Sequence, residues 1–355
     1  MTQQQLLFTN NVTDSIQPII DKLKPNATFI LVDDNTACQV LPELQSHSQH
    51  LAEAVTITIP AGDINKNLDS LAHVWKQLGD NGATRHSLLV NIGGGVVTDL
   101  GAFAASTFKR GIPFINIPTT LLAAVDASVG GKTGINFNGL KNEIGVFNEA
   151  PTVIISTRFF NTLPVEELRS GYAEMIKHAL LTSAEEFATL TSTPAERLKP
   201  DEMLDLLRRS VEVKRHIVTI DPTEKGPRRA LNLGHTAGHA FETMAMERHA
   251  PIPHGYAVAY GLIVTLILSH MKLRLDTGYL YRLVEYVTDN YGSFGITCDD
   301  YPRLLELMGH DKKNERTDRI SFTLLTAPGR YECGIVTSHD EITAALDIYR
   351  DLLHL

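Results

Sequence analysis

Three segments of the sequence carry histidines and a carboxylate in patterns that could hold a metal ion. Glu174 lies in GYAEMIKHALL, His235 and His239 lie four residues apart in LNLGHTAGHAFE, and His254 lies in PIPHGYAVAYG. A catalytic zinc ion normally takes three protein ligands of these types, and Glu174, His235 and His254 make one such set. Two rival pairs have the i, i+4 spacing of ligands on one helical face: His235 with His239, and Glu174 with His178. The residues therefore predict a metal site and leave its ligand set open.

The segment GYAEMIKHALL also brings charged groups into an apolar helix. Glu174, Lys177 and His178 fall within about one helical turn, and most of the other positions are apolar. Charged side chains are rarely buried without a partner, so we expect at least one of the three to be paired inside the protein or to line a cleft. Four further groups that could bind an anion lie near these helices: Lys214, Arg228, Asn232 and Lys312.

A glycine-rich turn in the N-terminal half is suited to a phosphate group. Gly93, Gly94 and Gly95 follow the strand-like run SLLVNI and precede a helix-like segment that carries Asp99. Backbone amides at a helix N-terminus bind phosphates, which favours a dinucleotide here. The pattern is not GxGxxG, because Thr98 takes the place of the third glycine, and strand-to-helix packing alone could require these glycines.

A second glycine-rich segment, ASVGGKTG, surrounds Lys132. It differs from the P-loop pattern because Asp126 stands where that pattern needs glycine, which disfavours a Walker-type nucleotidase. Lys132, Lys141 and Asn142 lie in a poorly helical stretch, where their side chains could close around a phosphate or a carboxylate. A solvated loop is the alternative interpretation for each lysine.

The elements that carry these residues change character between residues 156 and 162. Before this point, five β-branched runs alternate with helix-like segments: ATFILV, VTITI, SLLVNI, PFINIP and TVIIS. This alternation predicts a layered α/β domain with a largely parallel sheet.

From Thr162 onward, amphipathic helical patterns dominate, while ISFTLLT and YECGIVT around a Pro-Gly turn predict a late β-hairpin. The helical patterns cover 203–220, 232–246, 255–273, 278–291 and 340–353. We therefore predict an α/β nucleotide-binding domain over 1–158 and a mainly α-helical metal-binding domain over 159–355.

Composition argues against several classes of protein. The 32 Lys and Arg against 41 Asp and Glu give a net charge of −9, so no overall positive field would attract nucleic acid or an anionic membrane. Cys38, Cys298 and Cys333 are widely spaced, which predicts neither a disulfide framework nor a thiolate zinc site and favours a reducing cytoplasm. The first basic residue is Lys22, so no leader peptide is predicted, and the longest apolar run, 256–268, is shorter than the roughly 20 residues that span a bilayer.

Eight motifs run in order through the chain from about Ile30 to Lys313. They are AGDINK, NIGGGVVTDLGAFAASTFKRG, IPTTLLAAVDASVGGKTGIN, GLKNEIG, TLPVEELRSGYAEMIK, RRALNLGHTAGHAFE, HGYAVAYG and HDKK. In order and spacing they resemble the motifs of the 3-dehydroquinate synthases, within the sugar-phosphate cyclase superfamily. The resemblance implies an N-terminal α/β domain for a nucleotide and a helical domain for a metal, in agreement with the division that periodicity predicts.

The resemblance also implies a reaction. We expect an NAD-dependent, metal-assisted conversion of 3-deoxy-D-arabino-heptulosonate 7-phosphate into 3-dehydroquinate and phosphate, the second step of the shikimate pathway. NAD⁺ would take a hydride from the C5 alcohol, phosphate would leave by β-elimination, the hydride would return, and an intramolecular aldol reaction would close the carbocycle. A cytoplasmic homodimer acting on a small sugar phosphate, with neither nucleic acid nor membrane as partner, is expected.

Carried over position by position, the resemblance assigns the metal to Glu174, His235 and His254, and such ligands allow Zn²⁺ or Co²⁺. His239 would stay free of the metal and transfer protons during elimination. The remaining substrate groups are Lys132, Asn142 and Lys312 for phosphate, Arg110 from the neighbouring subunit, Lys214 and Arg228 for carboxylate, and Asp126, Lys177 and Asn232 for ring hydroxyls. The cofactor contacts implied are Asp34, Asp63, Lys66, Gly94, Gly95, Asp99, Thr119, Thr120, Lys141, Thr162 and Glu167.

The sequence departs from the family pattern at two positions. Asp63 replaces the usual glutamate, which shortens its reach toward the cofactor ribose, and Tyr256 replaces a glutamate two residues beyond His254, where it could alter the hydrogen bonding of that ligand. Lys312 and Lys313 are adjacent, so either could be the phosphate ligand. Two alternative functions are another sugar-phosphate cyclase and a metal-dependent polyol dehydrogenase, and only the dehydrogenase would accumulate NADH.

Overall fold

The computed structural model describes residues 4–309 and 320–355, so Lys312 and Lys313 lie outside the described residues. Contacts within the chain divide it into two units. The first comprises Met1–Pro164 and Lys199–Val211, and the second comprises Val165–Leu198 and Glu212–Leu355. The assignment of separate functions to 1–158 and 159–355 stays a prediction.

A six-stranded parallel sheet forms the centre of the first unit, as the alternating pattern predicts. In chain order, the strands of this unit are β1 (Gln5–Phe8), β2 (Thr28–Asp33), β3 (Val55–Ile59), β4 (Leu88–Gly93), β5 (Phe114–Pro118), β6 (Lys132–Phe137), β7 (Leu140–Phe147) and β8 (Thr152–Ile155). The sheet has the order β1-β8-β5-β4-β2-β3, and every pair in it is parallel. All five predicted strands are present, and β1 adds an edge strand that the analysis of the sequence did not predict.

Helices connect the strands of this sheet. They are α1 (Val12–Leu23), α2 (Asp34–Gln39), α3 (Leu41–Ser46), α4 (Gln49–Ala52), α5 (Leu68–Asp80) and α6 (Gly95–Thr107). Helix α6 begins directly after β4 and packs on β4 and β5, with eight of its residues buried. A helix that is apolar on most sides belongs in the core, so α6 is a rigid support for the glycine turn at its N-terminus.

Strands β6 and β7 form a separate antiparallel ribbon where the sequence indicated a poorly helical, glycine-rich stretch. Gly134 and Gly145 lie opposite each other, and a Cβ on either would come within 2.4 Å of a carbonyl oxygen of the facing strand. The glycines therefore permit a close strand pair rather than a mobile loop. Every residue of β7 is exposed.

The second unit is mainly helical and ends in a hairpin and a helix, as predicted. Its elements are α7 (Val165–Leu180), α8 (Ala184–Leu190), α9 (Pro200–Ile220), α10 (His235–Glu247), α11 (His254–Leu273), α12 (Thr277–Tyr291), α13 (Tyr301–Gly309), β9 (Ile320–Ala327), β10 (Arg330–Thr337) and α14 (His339–Leu353). Helix α9 contributes residues to both units. Helix α10 begins three residues later than predicted, because Pro227–Asn232 forms a 3-10 helix and Gly234 adopts a left-handed φ of 80°.

Helix α11 forms the core of the second unit. It packs against α7, α10, α12, α14 and β9, and most of its residues from Gly255 to Ser269 are buried. Among the described residues, it is the one helix that is long and apolar enough to cross a membrane by length and composition, but 72% of its apolar window is buried inside the protein. This burial is the pattern of a core helix.

Candidate metal and cofactor sites

Helix α7 buries an ion pair in its last turns. Glu174 and Lys177 are 0% and 1% exposed, and the Lys177 Nζ contacts Glu174 Oε2 one helical turn away. The expectation that a charged group in this helix would be paired is confirmed. Neither oxygen of Glu174 has a hydrogen bond of good geometry with a described residue, so the carboxylate has capacity for a further electrophilic partner.

Three histidines converge beside this carboxylate. The ring centroids of His235, His239 and His254 are 5.3 to 5.9 Å apart, and one nitrogen of each lies within 4.8 Å of the others. Glu174 Oε1 lies 3.3 Å from His235 Nε2 and 3.5 Å from His254 Nε2. A buried carboxylate facing two imidazole nitrogens is a donor set that suits Zn²⁺ or Co²⁺. His178, the member of a rival pair, is buried but is not part of this histidine cluster.

The other ring nitrogen of each predicted histidine ligand has its own hydrogen-bond acceptor. His235 Nδ1 lies 3.1 Å from the Leu233 carbonyl oxygen, and His254 Nδ1 lies 3.1 Å from Glu242 Oε2. Because these oxygens accept, both Nδ1 atoms are assigned a proton, which leaves the Nε2 atoms, on the side of Glu174, as the positions that could bind a metal. Tyr256, one of the two departures from the family pattern, packs edge-on against Tyr291, with ring centroids 4.9 Å apart.

Glycines allow the helices that carry these ligands to approach closely. A Cβ on Gly255 would lie 1.9 Å from the Ser170 carbonyl oxygen of α7, and the Gly255 amide donates to Ser170 Oγ at 3.0 Å. A Cβ on Gly261 would lie 2.1 Å from the Gly234 carbonyl oxygen, and one on Gly238 would lie 2.9 Å from that of Ala257. The convergence of the ligands therefore depends on backbone contacts that only glycine permits.

Charges within the cluster shift the pKa values of its members. Burial by itself would raise the pKa of Glu174, but Lys177 and His235 outweigh it and hold the pKa well below its usual range. Burial and Lys177 lower the pKa of His235. Burial also disfavours charge on His254, but the carboxylates of Glu174 and Glu242 outweigh it and raise the pKa to about 10. At pH 7, Glu174 is therefore ionised and His235 is neutral, which are the forms that bind metal, whereas His254 carries a proton that a bound metal would displace.

The predicted carboxylate-binding groups lie on and after α9. Lys214 and Arg228 are 6% and 3% exposed, and Asn232 donates to Glu224 Oε1 at 2.9 Å. The Asp221 carboxylate organises this loop by accepting the backbone N–H groups of 225, 226 and 228 at 2.6 to 3.2 Å. These bonds outweigh the effect of burial and lower the pKa of Asp221.

In the first unit, a buried lysine links two regions that are far apart in sequence. Lys66 is 4% exposed, and its Nζ donates to Asp99 Oδ2 at 2.5 Å and to Asn142 Oδ1 at 2.6 Å. Asp63 Oδ2 lies 3.6 Å from Lys141 Nζ. The structure thus brings four of the predicted cofactor residues close to Asn142, a residue predicted to bind phosphate.

The glycine turn lies between β4, α6 and the segment after β5. The Thr119 amide donates to the Gly93 carbonyl oxygen at 2.9 Å, and no side chain caps α6 at Gly94. A Cβ on Gly94 would lie 3.2 Å from Thr120 Cγ2, whereas a Cβ on Gly95 would meet an ordinary contact at 3.5 Å from Ala127. The open amides of this turn suit a phosphate group.

The other predicted residues of the first unit lie on turns and element ends. Asp34 is exposed at the start of α2, Lys132 is exposed at the start of β6, and Thr162 ends a 3-10 helix. Asp126 is half-buried in the π-helical turn Ala123–Ala127, a geometry that is frequent at functional sites. Arg110 is exposed, with a φ of 69°. In the second unit, Glu167 is exposed in the first turn of α7.

Two family descriptions together cover most of the chain. Residues 56–170 match the N-terminal domain of 3-dehydroquinate synthase, and residues 171–314 match its C-terminal domain. The chain belongs to the 3-dehydroquinate synthase family. A 3-dehydroquinate synthase of Parabacteroides distasonis is 44% identical over 99% of each chain, and one of Clostridium tetani is 34% identical over 92% of this chain and 87% of the relative. The resemblance identified from the motifs is confirmed.

Two solved structures share the fold of this chain. A 2-epi-5-epi-valiolone synthase from Streptomyces hygroscopicus has a TM-score of 0.87 at 24% identity, covering 99% of this chain and 98% of that one. A 2-deoxy-scyllo-inosose synthase has a TM-score of 0.86 at 21% identity, covering 98% and 96%. The predicted fold class, an α/β unit followed by a mainly helical unit, is confirmed.

Analysis of the sequence missed three carboxylates of the second unit: Asp221, Glu224 and Glu242. Asp221 begins DPTEKG, and an aspartate ahead of a Pro- and Gly-containing turn commonly accepts backbone N–H groups. Glu242 lies seven residues after His235 and three after His239, so helical spacing already places all three on one face of α10.

Proposed function

We propose that this chain is a 3-dehydroquinate synthase, which converts 3-deoxy-D-arabino-heptulosonate 7-phosphate into 3-dehydroquinate and phosphate. Whole-chain similarity to curated 3-dehydroquinate synthases supports this proposal. The observation that carries it is the buried Glu174 carboxylate facing His235 and His254, with buried cations on neighbouring segments. The solved relatives noted above contain NAD⁺ with Zn²⁺ or Co²⁺, and we propose the same cofactors here.

Glu174, His235 and His254 would hold the metal. A bound Zn²⁺ or Co²⁺ would supply Lewis acidity toward the hydroxyl groups of the substrate. Lys177, buried against Glu174, keeps this carboxylate ionised and points its ammonium group into the cluster, where it can donate to a ring hydroxyl. His239 adjoins both metal-binding histidines without being assigned to the metal, so its imidazole can move the proton during elimination.

Cationic and amide groups would bind the two anionic ends of the substrate. Lys214 and Arg228, which are both buried cations, would hold its carboxylate through charge-assisted hydrogen bonds. Asp126 and Asn232 would hold ring hydroxyls. The phosphate would be bound by Lys132, Asn142 and Lys312. These groups fix one reactive conformation of a flexible substrate, which is the main contribution a protein makes to such a reaction.

The first unit would bind NAD. When bound, NAD would supply reversible hydride-transfer chemistry at the substrate. The open amides at Gly94 and Gly95 would hold the pyrophosphate, with Thr119 and Thr120 beside them. Asp63, Lys66, Asp99 and Lys141 form the polar cluster described above and would bind other parts of the cofactor. The other cofactor contacts that we propose are Asp34, Thr162 and Glu167.

A phosphate-release assay tests the function. With the heptulosonate phosphate, NAD⁺ and Zn²⁺ or Co²⁺, we expect one phosphate per dehydroquinate formed and no net absorbance from NADH. A chelator, or the omission of NAD⁺, should stop both products. Accumulation of NADH would indicate a polyol dehydrogenase, and turnover of glucose 6-phosphate or sedoheptulose 7-phosphate instead of the heptulosonate would indicate another cyclase.

We further propose a cytoplasmic homodimer in which Arg110 reaches the phosphate site of the second copy. The ribbon strand β7 supports an interface, because it is exposed along its length and carries Ile144, Val146 and Phe147 at 38 to 64% exposure. Arg110 is exposed next to Lys109, and both have positive φ, a strain that often marks functional positions.

Subunit mixing tests the role of Arg110. Arg110→Ala and His239→Ala should each be nearly inactive, but one site of their heterodimer contains neither change. The heterodimer should therefore recover about half the activity of the natural dimer, because one of its two sites is intact. If mass spectrometry verifies subunit exchange and no activity returns, Arg110 serves its own subunit or only the fold.

A further inference from the structure

Glu242 is a buried carboxylate for which the proposed reaction has no use. It lies on α10, is 8% exposed, and its Oε2 lies 3.1 Å from His254 Nδ1. His254 is the first residue of α11, so this hydrogen bond joins two helices at the point where a predicted metal ligand begins the second. Burial of a carboxylate costs free energy unless it is well paired, so the contact requires an explanation.

The two predicted histidine ligands are held by different kinds of acceptor. The Nδ1 of His235 faces the neutral carbonyl of Leu233, only two residues earlier in the chain. The Nδ1 of His254 faces a charged carboxylate from another helix. Both arrangements leave Nε2 directed at Glu174 Oε1, at 3.3 and 3.5 Å.

The position of His254 explains why a stronger acceptor is needed there. The His254 side chain is 29% exposed, compared with 12% for His235, so packing restrains it less. As the first residue of its helix, it also follows the short 249–253 connection rather than a preceding helical turn. A charge-assisted hydrogen bond from a neighbouring helix supplies the orientation that local packing does not.

We infer that Glu242 is a positioning residue for His254, an inference that rests on the metal site of the proposed function. Glu242 fixes the tautomer with the proton on Nδ1, orients the ring so that Nε2 faces the cation, and increases the electron-donating strength of the imidazole. Carboxylate partners of this kind typically change metal affinity by about 10- to 100-fold. Tyr256, two residues beyond His254, packs on Tyr291. The carboxylate that the structure places at His254 Nδ1 is that of Glu242.

Three variants separate this role from a general effect on α10. Glu242→Ala removes the acceptor, and Glu242→Gln keeps an acceptor oxygen but removes the charge. Glu247→Gln is the matched control, because it makes the same change on the same helix at an exposed carboxylate that pairs with Arg303. Each protein is freed of metal and titrated with Co²⁺ alone, and the dissociation constant and visible absorption bands of bound Co²⁺ are measured.

We expect Glu247→Gln to bind Co²⁺ as the natural protein does. Glu242→Gln should keep the band positions and bind about 10-fold more weakly, and Glu242→Ala should bind roughly 10- to 100-fold more weakly with shifted bands. Thermal unfolding of the metal-free proteins shows whether each variant is folded. If Glu242→Ala does not fold, Glu242→Gln decides the question.

An unchanged Co²⁺ affinity in a folded Glu242→Gln protein would overturn the inference, whatever the Ala variant does. Failure of the proposed function looks different. In that case the natural protein binds Co²⁺, and the Glu242 variants bind it more weakly, yet no phosphate is released from the heptulosonate phosphate.

Discussion

Two glycines near helix N-termini, one in each unit, serve different purposes. In the first, Gly95 opens α6, and a Cβ there would meet only an ordinary contact, so the residue leaves room for a ligand. In the second, Gly255 touches the backbone of Ser170 so closely that a Cβ would lie 1.9 Å from a carbonyl oxygen. We propose that the first kind of glycine is needed for ligand binding, whereas the second kind is needed for the packing of helices. Substitution by alanine should distinguish them.

The largest loss of stability is expected when a packing glycine, Gly255, is replaced. Gly255→Ala forces α7 and α11 apart, and because backbone cannot yield as a side chain can, we expect a loss of about 3 kcal/mol in the free energy of unfolding. Glu174 and His254 lie on these two helices, so bound metal should be lost as well. Denaturant unfolding and metal analysis measure the two effects. Gly79→Ala is the control, because a Cβ in this part of α5 meets nothing within 4 Å, and it should be neutral or stabilising by up to about 1 kcal/mol.

The next prediction concerns a packing glycine inside the first unit. A Cβ on Gly101 would lie 2.1 Å from Asn91 Oδ1, and Asn91 donates from Nδ2 to Asn116 Oδ1 at 2.8 Å across the parallel pair β4 and β5. Gly101→Ala should destabilise the protein by about 2 kcal/mol. In the Asn91→Ala background, the same substitution should cost at least about 1 kcal/mol less, because the clashing amide is gone. Additive losses in denaturant unfolding would show that Gly101 is needed for another reason.

A smaller effect is expected at Gly95, the glycine that we propose lies beside the cofactor. Gly95→Ala should leave the thermal midpoint nearly unchanged and weaken NAD⁺ binding by roughly 10-fold, or about 1.4 kcal/mol, because a methyl group then stands beside the open amides. Calorimetric titration with NAD⁺ and a thermal melt are the measurements. If Gly95→Ala lost stability but kept its NAD⁺ affinity, Gly95 would be a packing glycine like Gly255, and the contrast between the two glycines would be wrong.

The smallest effect concerns the loop after α9, which is held by charge rather than by glycine packing. The depressed pKa of Asp221 means that its contribution to stability is present above the ordinary aspartate pKa, 3.8, and is lost as pH falls through the lower folded value. Asp221→Asn should therefore lower the thermal midpoint at pH 7, and the difference from the natural protein should shrink as the pH falls below 3.8. A difference in thermal midpoint that does not depend on pH would show that the variant loses stability through altered hydrogen-bond geometry in the loop and not through the lost charge.

Local patterns in the sequence predicted the strands and helices, because these elements depend mainly on residues that are close together in the chain. The β-branched runs became the parallel sheet, and the helical patterns became α9 to α12 and α14, because each buries one apolar face or run. The pairing of β6 with β7 could not be predicted in this way, because β7 is exposed throughout and carries no inside-outside alternation. In that ribbon, the opposed glycines signal a close strand pair only once the register is known.

The candidate site was predictable to the extent that it rests on residue type. Histidines and a carboxylate indicated a metal, and the structure brings Glu174, His235, His239 and His254 together. Spacing could not choose among these ligands, since the choice depends on which nitrogen of each ring faces the carboxylate. Glu242 was within reach of the same reasoning, because it continues the i, i+4, i+7 row of His235 and His239.

Metal analysis of three histidine variants tests the central claim, that Glu174, His235 and His254 are the ligands and His239 is not. Each of His235→Ala, His254→Ala and His239→Ala is purified with added Zn²⁺, desalted and measured for metal per chain and for phosphate release. We predict that His235→Ala and His254→Ala retain little metal, whereas His239→Ala retains as much as the natural protein and loses turnover. If His239→Ala lost its metal as completely as His235→Ala, His239 would be a ligand, the i, i+4 pair His235 and His239 would be right, and the proposed ligand set would be contradicted.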